Sequence, residues 1–176
     1  MNKIILVVVI ILVVVVAVFF SQYKGNFSSE NITNNNNTTT DNTTTTTNSQ
    51  NKKLDLSNQG LASIPSYVFN QTNIEELNVS HNSLTGAIQS QIGQLKNLKV
   101  LNVSYNQMTG VPAEVGQLSN LQVLDLSYNQ LTGLPNELGN LKNLETLNLL
   151  GNSYSQQDLN GIRSNLPPTV NIIVSQ

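Results

Sequence analysis

A repeat fills the C-terminal part of the chain and dictates how it can fold. Aligned starts fall at Asn51, Ile74, Leu98, Leu121 and Leu144, so the copies recur at a nearly constant interval. Each copy contains a Leu-x-Leu or Leu-x-Val core, and this alternation is typical of a strand with both apolar side chains on one face. The period predicts one strand per copy in a parallel sheet, with each copy burying its apolar face only against its neighbours.

An amide side chain follows each predicted strand at a fixed distance. Five positions after the first core leucine stand Gln59, Asn82, Asn106, Asn129 and Asn152. The chain must bend away from the sheet at this point, and asparagine can both donate to and accept from backbone groups buried at the bend. The pattern therefore predicts a structural ladder of Asn82, Asn106, Asn129 and Asn152.

These five copies resemble the leucine-rich repeat family, whose consensus is L-x-x-L-x-L-x-x-N-x-L. The resemblance covers residues 51–176. It implies an α/β fold, a leucine-rich repeat solenoid that forms a right-handed βα horseshoe arc. The parallel sheet would line the concave face, and short 3-10 or helical segments would line the convex face. The chain has no cysteine, whereas animal and plant relatives often carry cysteine-bridged caps, so the resemblance favours a short bacterial type.

The segments that return from one predicted strand to the next also repeat. Val111-Pro112 and Leu134-Pro135 predict a short helical start on the outer surface, because proline presets φ and lacks a donor that the first turn would leave unpaired. The second copy carries one extra residue after Leu84 and has no proline. Its local geometry is therefore expected to differ.

The C-terminal end is predicted to close with a helix and a strand within residues 155–174. Ser155 and Asp158 have the spacing of a capping box, and Pro167-Pro168 would end the helix. Val170 and Ile172 stand one further period after Leu147 and Leu149. This predicts a sixth parallel strand whose register pairs Val170 with Leu147.

Residues 1–23 have the composition of a transmembrane signal anchor. Lys3 precedes an uninterrupted apolar run, residues 4–20, which as a helix would cover roughly 26 Å of a hydrocarbon core about 30 Å thick. A cleaved signal peptide is the alternative, although Phe19 fits its small-x-small site poorly. Lys3 favours an inside N-terminus, hence a single-pass membrane protein with an extracytoplasmic C-terminal domain.

Residues 24–50 are predicted to be a disordered linker. The segment is rich in Asn and Thr and has almost no large apolar side chains, so nothing offsets the entropy of ordering it. Several N-x-[ST] triplets occur in it, and whether the host glycosylates them is left open. The domain order is thus an anchor, a linker and, from residue 51, the repeats.

Composition argues against several functional classes. The net charge of −2 provides no basic surface for nucleic acid. Without cysteine and with His81 as the one histidine, the chain offers little material for a metal site or for acid–base chemistry. We therefore expect no catalytic residues, metal or cofactor, and no enzymatic activity.

The candidate ligand-binding residues lie on the predicted concave face. Val100, Val123, Tyr105 and Tyr128 would form a small apolar and aromatic patch with a polar surround, which is typical of binding hot spots. Alternatively, Asp/Asn-Leu-Ser-Tyr-Asn is simply the favoured sequence of the repeat. The candidates are Glu76, Asn78, His81, Val100, Asn102, Tyr105, Val123, Asp125, Tyr128 and Asn148.

Two functions are compatible with this organisation. The first is a non-catalytic module, displayed on the cell surface, that binds a protein or peptide on its concave face. The second is a structural envelope protein that contacts cell-wall polysaccharide. The resemblance favours the first, because relatives with this architecture bind proteins far more often than they catalyse.

Overall fold

The computed structural model of the chain describes residues 52–174. The predicted anchor and linker, residues 1–23 and 24–50, lie outside the described residues. Within the described part, no helix is both long enough and apolar enough to cross a bilayer.

Six of the eight strands in the described part form one parallel sheet. The strands are β1 (Lys53–Asp55), β2 (Glu76–Asn78), β3 (Thr85–Ala87), β4 (Val100–Asn102), β5 (Gln107–Gly110), β6 (Val123–Asp125), β7 (Thr146–Asn148) and β8 (Asn171–Ile173). The large sheet has the order β1-β2-β4-β6-β7-β8. Its register places Leu101 beside Leu124 and Leu124 beside Leu147, which confirms the predicted repeat. We number coils one to five by β1, β2, β4, β6 and β7.

Each return segment between these coils contains one turn of 3-10 helix. These helices are Ser66–Asn70, Ser90–Gln94, Ala113–Gln117 and Asn136–Asn140. Pro112 and Pro135 stand directly before the last two, as the sequence predicts. Val115 and Leu118 are fully buried in coil three. Gly116 lets the next helix approach closely, because a Cβ at this position would overlap the Glu137 carbonyl group.

The second copy of the repeat differs locally from the others, as expected. Its extra residue falls where β3 pairs with β5 of the next coil in a separate two-stranded parallel sheet. The register of this pair shifts between Gly86 and Ala87, where Thr109 of β5 is left without a partner in β3. The small sheet itself was not predicted from the sequence.

The C-terminal end confirms the predicted elements and corrects their register. Helix α1 (Gln156–Arg163) begins where the Ser155 hydroxyl accepts a 3.0 Å hydrogen bond from the Asp158 N–H. Strand β8 pairs Leu147 with Ile172 and not with Val170, so the predicted register is wrong by two positions. An α-helix rises about 1.5 Å per residue against about 2.0 Å in a 3-10 helix, so the return through α1 requires more residues.

The core is one continuous apolar cluster, and its row beneath the sheet consists of leucines that neighbouring coils cover from both sides. Leu101, Leu124 and Leu147 are fully buried in the middle of the sheet. At the two ends, Leu54 and Ile172 are only partly buried. Burial of the apolar surface contributes roughly 25 cal/mol per Å², so a coil flanked on both sides gains more than an end coil. The solvent-facing side of the sheet, here called the sheet face, corresponds to the predicted concave face.

Candidate functional site

Four columns of side chains cross the sheet face at right angles to the strands. The first column stands at the strand starts and contains Lys53, Glu76, Val100, Val123 and Thr146. The second contains Asp55, Asn78, Asn102, Asp125 and Asn148. The third contains Ser57, Ser80, Ser104, Ser127 and Leu150, and the fourth contains Asn58, His81, Tyr105, Tyr128 and Gly151.

Every residue of the fourth column has a left-handed backbone conformation. The φ angles are 58° at Asn58, 54° at His81, 53° at Tyr105, 51° at Tyr128 and 72° at Gly151. Glycine adopts this conformation freely and asparagine and histidine are enriched in it, whereas a residue such as tyrosine is strained in it by about 1–2 kcal/mol. The three middle coils therefore carry large rings at positions where the backbone disfavours them.

The rings of the fourth column stack on one another along the solenoid. The ring centroids of His81 and Tyr105 are 4.3 Å apart with an interplanar angle of 9°, and those of Tyr105 and Tyr128 are 4.4 Å apart at 18°. The next position is Gly151, where a Cβ would lie 2.8 Å from Cδ1 of Tyr128, so a side chain there would displace the ring. Tyr105 and Tyr128 remain 46% and 43% exposed, and the aromatic stack thus presents ring edges to solvent.

The second column uses its acceptor oxygens to cap the strands. Oδ1 of Asp125 accepts hydrogen bonds from the backbone N–H and the hydroxyl of Ser127, at 2.9 and 2.6 Å. Oδ1 of Asn102 accepts the same pair from Ser104, at 3.0 and 2.7 Å. Because Ser104 and Ser127 are 5% and 2% exposed, the third column forms a low polar floor between the second column and the aromatic stack.

The predicted apolar and aromatic patch is divided in the structure. Val100 and Val123 pair with each other in register and are partly buried. They lie at the starts of β4 and β6, whereas the tyrosines follow the ends of these strands. The polar second and third columns separate the two groups. The structure brings His81, Tyr105 and Tyr128 together but does not join the valines to them.

The asparagines that follow the strands bridge adjacent coils. Nδ2 of Asn106 lies 3.1 Å from the carbonyl oxygens of Val79, Val103 and Ser104, and its Oδ1 accepts a 3.0 Å hydrogen bond from the Leu84 N–H. The other three make the corresponding contacts: Asn82, Asn129 and Asn152. Each amide therefore joins its own coil to the preceding one.

A strand-and-bend repeat of this kind matches a known family. The family model for the leucine rich repeat matches residues 49–108 and 96–153, which together exceed half of the chain. The chain belongs to the leucine-rich repeat family.

Solved structures of leucine-rich repeat proteins resemble the chain over about two thirds of its length. A Leptospira interrogans LRR protein is 40% identical with a TM-score of 0.59, over 63% of this chain and 28% of its own. The LRR ectodomain of the Arabidopsis receptor kinase HAESA, in complex with an N-terminally extended IDA peptide hormone ligand, is 30% identical with a TM-score of 0.53, over 64% of this chain and 20% of its own. An internalin from Listeria monocytogenes shares the fold, at 24% identity and a TM-score of 0.53 over 65% of this chain and 34% of its own.

The chain thus spans 28% of the length of the Leptospira protein that it matches. No curated protein is a significant match to the chain.

A second asparagine ladder, not predicted from the sequence, joins the coils of this leucine-rich repeat domain. Nδ2 of Asn97, Asn120 and Asn143 donates across to the preceding coil, to the carbonyl oxygens of Thr72, Lys96 and Ser119 at 2.8, 2.8 and 2.7 Å. These three side chains are exposed. Their constant place, one residue before the apolar residue that leads each copy, was the signal that could have revealed them.

Ion pairs gather at the N-terminal part of the leucine-rich repeat domain. Glu75 contacts the ammonium groups of Lys52 and Lys99, the latter at 2.7 Å, and hydrogen bonds from both lysines lower the pKa of its carboxyl. Glu76 lies 3.0 Å from Lys53, and the hydrogen bond to Glu76 raises the pKa of this lysine. Among residues 52–174, no three His, Cys, Asp or Glu side chains form a group that could hold a metal ion.

Proposed function

We propose that the chain is a non-catalytic module that binds a protein or peptide on its sheet face, and that its N-terminal segment displays it on the cell surface. The observation that carries this proposal is the exposed aromatic stack of His81, Tyr105 and Tyr128. Exposed aromatic side chains beside a polar surround are the usual anchors of protein interfaces.

The fold itself does not require rings at these positions. Asn58 and Gly151 occupy the same column with the same backbone conformation, and both residue types suit it better than tyrosine. Each stacked pair contributes about 0.5–1.5 kcal/mol, which only offsets the strain of about 1–2 kcal/mol per residue. The tyrosine rings thus stay nearly half exposed at positions that strain the backbone, and strained residues of this kind concentrate at binding sites.

The similar structures also support a protein or peptide as the partner. The HAESA ectodomain, which is 30% identical to this chain over the matched region, is in complex with a peptide hormone ligand. The match spans only 20% of that ectodomain, so the class of ligand, and no particular ligand, is inferred from it.

The stacking geometry favours a protein over a polysaccharide. The ring of Tyr105 lies between those of His81 and Tyr128, with centroid distances of 4.3 and 4.4 Å. Both faces of Tyr105 are thereby covered, so this central ring offers no flat platform on which a sugar ring could pack. The edges and phenol oxygens that remain are suited to side chains and backbone groups of a peptide.

The test is cross-linking mass spectrometry on cells that express wild type or Tyr105→Asn with Tyr128→Asn. Asparagine suits the left-handed backbone, so we expect the double variant to keep its thermal midpoint near that of wild type and to lose the cross-linked partner. Gln91→Ala with Gln94→Ala alters exposed residues of a 3-10 helix and serves as the matched control. A partner profile that is unchanged in the tyrosine variant would contradict the proposal, and selective retention on purified cell wall would favour the structural alternative.

Display on the membrane has its own test. N-terminal sequencing of the membrane-bound protein should recover the intact N-terminus. A start at Ser21 or beyond would show that the segment is a cleaved signal peptide.

A further inference from the structure

A single charged side chain occupies the C-terminal half of the sheet face. At the positions of the four columns in coils three to five, Asp125 is the one residue with a charge at neutral pH. The described ion pairs involve Glu75 and Glu76 in coil two. Among residues 52–174, no lysine, arginine or histidine lies within ion-pairing distance of Asp125.

The fold does not need this charge. Asn78, Asn102 and Asn148 occupy the same column, and their Oδ1 atoms accept the hydrogen bond from the backbone N–H two residues later at 3.1, 3.0 and 3.2 Å. Asp125 makes that bond at 2.9 Å. The Oδ1 of an asparagine would therefore serve the strand equally well, and the carboxylate adds a negative charge and a second acceptor oxygen, Oδ2.

The carboxylate keeps capacity for a ligand beside the aromatic stack. Oδ1 already accepts two hydrogen bonds from Ser127, whereas Oδ2 accepts one, from Nδ2 of Asn148 at 3.2 Å. An ionised carboxylate offers about four acceptor positions. Partial burial raises the pKa of the Tyr105 hydroxyl, and Tyr128 and the charge of Asp125 raise it further, so the carboxylate and the tyrosines share one electrostatic environment.

We infer that the partner bound at the sheet face is a basic peptide segment, one of whose lysine or arginine side chains pairs with the Asp125 carboxylate beside Tyr105 and Tyr128. This inference rests on the proposed binding at the sheet face. The aliphatic stem of the basic side chain packs along the rings, and its cation donates to Oδ2 of Asp125. Partial burial limits the screening of this pair by salt.

The experiment pans a random-peptide phage library on the full chain in detergent micelles. The same library is panned on Asp125→Asn, Asp55→Asn and the double variant Tyr105→Asn with Tyr128→Asn. Asp55 is the matched control, because it belongs to the same column and its Oδ1 likewise accepts the N–H of Ser57, at 3.0 Å, but it stands in coil one. Affinity is then measured for the most enriched peptide and for a copy with glutamine in place of each lysine and arginine.

We expect wild type and Asp55→Asn to enrich lysine- and arginine-containing peptides that the tyrosine variant does not retain. The Asp125→Asn substitution should weaken binding of the enriched peptide about tenfold. The glutamine copy should bind wild type about as weakly as the enriched peptide binds Asp125→Asn. Added salt should weaken binding to wild type more than binding to Asp125→Asn.

Two results would overturn the inference in distinguishable ways. Peptides that depend on the tyrosines but bind Asp125→Asn as tightly as wild type would refute the basic partner and leave the proposed function standing. If no enriched peptide depends on Tyr105 and Tyr128, both the inference and the proposed binding site are wrong.

Discussion

Replacing Asn106 with alanine tests the asparagine ladder, because the structure shows which backbone groups would lose their partners. The three carbonyl oxygens near Nδ2 of Asn106 each keep another donor. Val79 O also accepts from Nδ2 of Asn82 at 2.9 Å, Val103 O from Nδ2 of Asn129 at 3.0 Å, and Ser104 O from the His81 N–H at 3.0 Å.

The Leu84 N–H is the group that Asn106→Ala leaves without a partner. It donates from coil two to Oδ1 of Asn106 in coil three at 3.0 Å, and Leu84 and Asn106 are only 3% and 8% exposed. One buried backbone donor left unpaired costs about 1–3 kcal/mol. We expect the free energy of unfolding to fall by that amount and not by several times as much, since the carbonyl groups remain satisfied.

The assay is equilibrium unfolding in urea, with Asn97→Ala as the matched control. Asn97 also donates between coils, to the Thr72 carbonyl oxygen at 2.8 Å, but it is exposed, so water can replace its amide and the loss should stay within about 0.5 kcal/mol. Unfolding of Asn106→Ala that coincides with wild type, or a control that loses as much, would refute the account of the ladder.

Three further predictions follow from the packing and the charges. Gly116→Ala should destabilise the domain by about 1–3 kcal/mol through overpacking, whereas at Gly133 the nearest atom to an added Cβ is 3.7 Å away and alanine should leave the urea midpoint nearly unchanged. The pKa of Glu75 lies below its ordinary value of 4.5, so the stabilising contribution of Glu75 is complete above that pH and is lost as the pH falls through the lowered value. The urea midpoint of Glu75→Gln should therefore decline less steeply in acid than that of wild type. Equal declines would contradict the role of the two lysines. A peptide of residues 98–120 should show no stable structure by circular dichroism, because its core leucines need both neighbouring coils, and an ordered peptide would overturn that dependence.

The strands could be predicted from the sequence because their spacing and their burial pattern coincide. Leu-x-Leu alternation located the strands, and the register of Leu101, Leu124 and Leu147 follows from a constant period. The register prediction failed at the last strand, where the return segment contains an α-helix and not a 3-10 helix. Strand β8 is displaced by two positions because an α-helix replaces the 3-10 turn before it.

The candidate site was harder to predict, because its geometry depends on the backbone at single positions. The Tyr-Asn pairs of the repeat revealed that Tyr105 and Tyr128 share a column, but not that φ is positive there or that His81 joins the stack. The division of the predicted patch has the same origin. Val100 and Tyr105 are close in the sequence, yet Val100 lies at the start of β4 and Tyr105 lies beyond its end, on opposite sides of the sheet face.

Carbonyl groups such as that of Val79 accept hydrogen bonds from two ladder asparagines, and this has a consequence for unfolding under force. A pulling force on the C-terminal side would first break the pairing of β8 with β7, in which the Leu149 N–H donates to the Ile173 carbonyl oxygen at 2.8 Å and the Asn171 N–H donates to the Glu145 carbonyl oxygen at 2.9 Å. Peeling one coil off leaves the carbonyl groups of the preceding coil paired with their own asparagine, as Val79 O stays paired with Asn82, and frees one backbone N–H, as that of Leu84 when Asn106 departs. Extension under load should then advance in steps of about 80 Å, the contour length of one repeat, and coil five would unfold before coils two to four, which carry the aromatic stack.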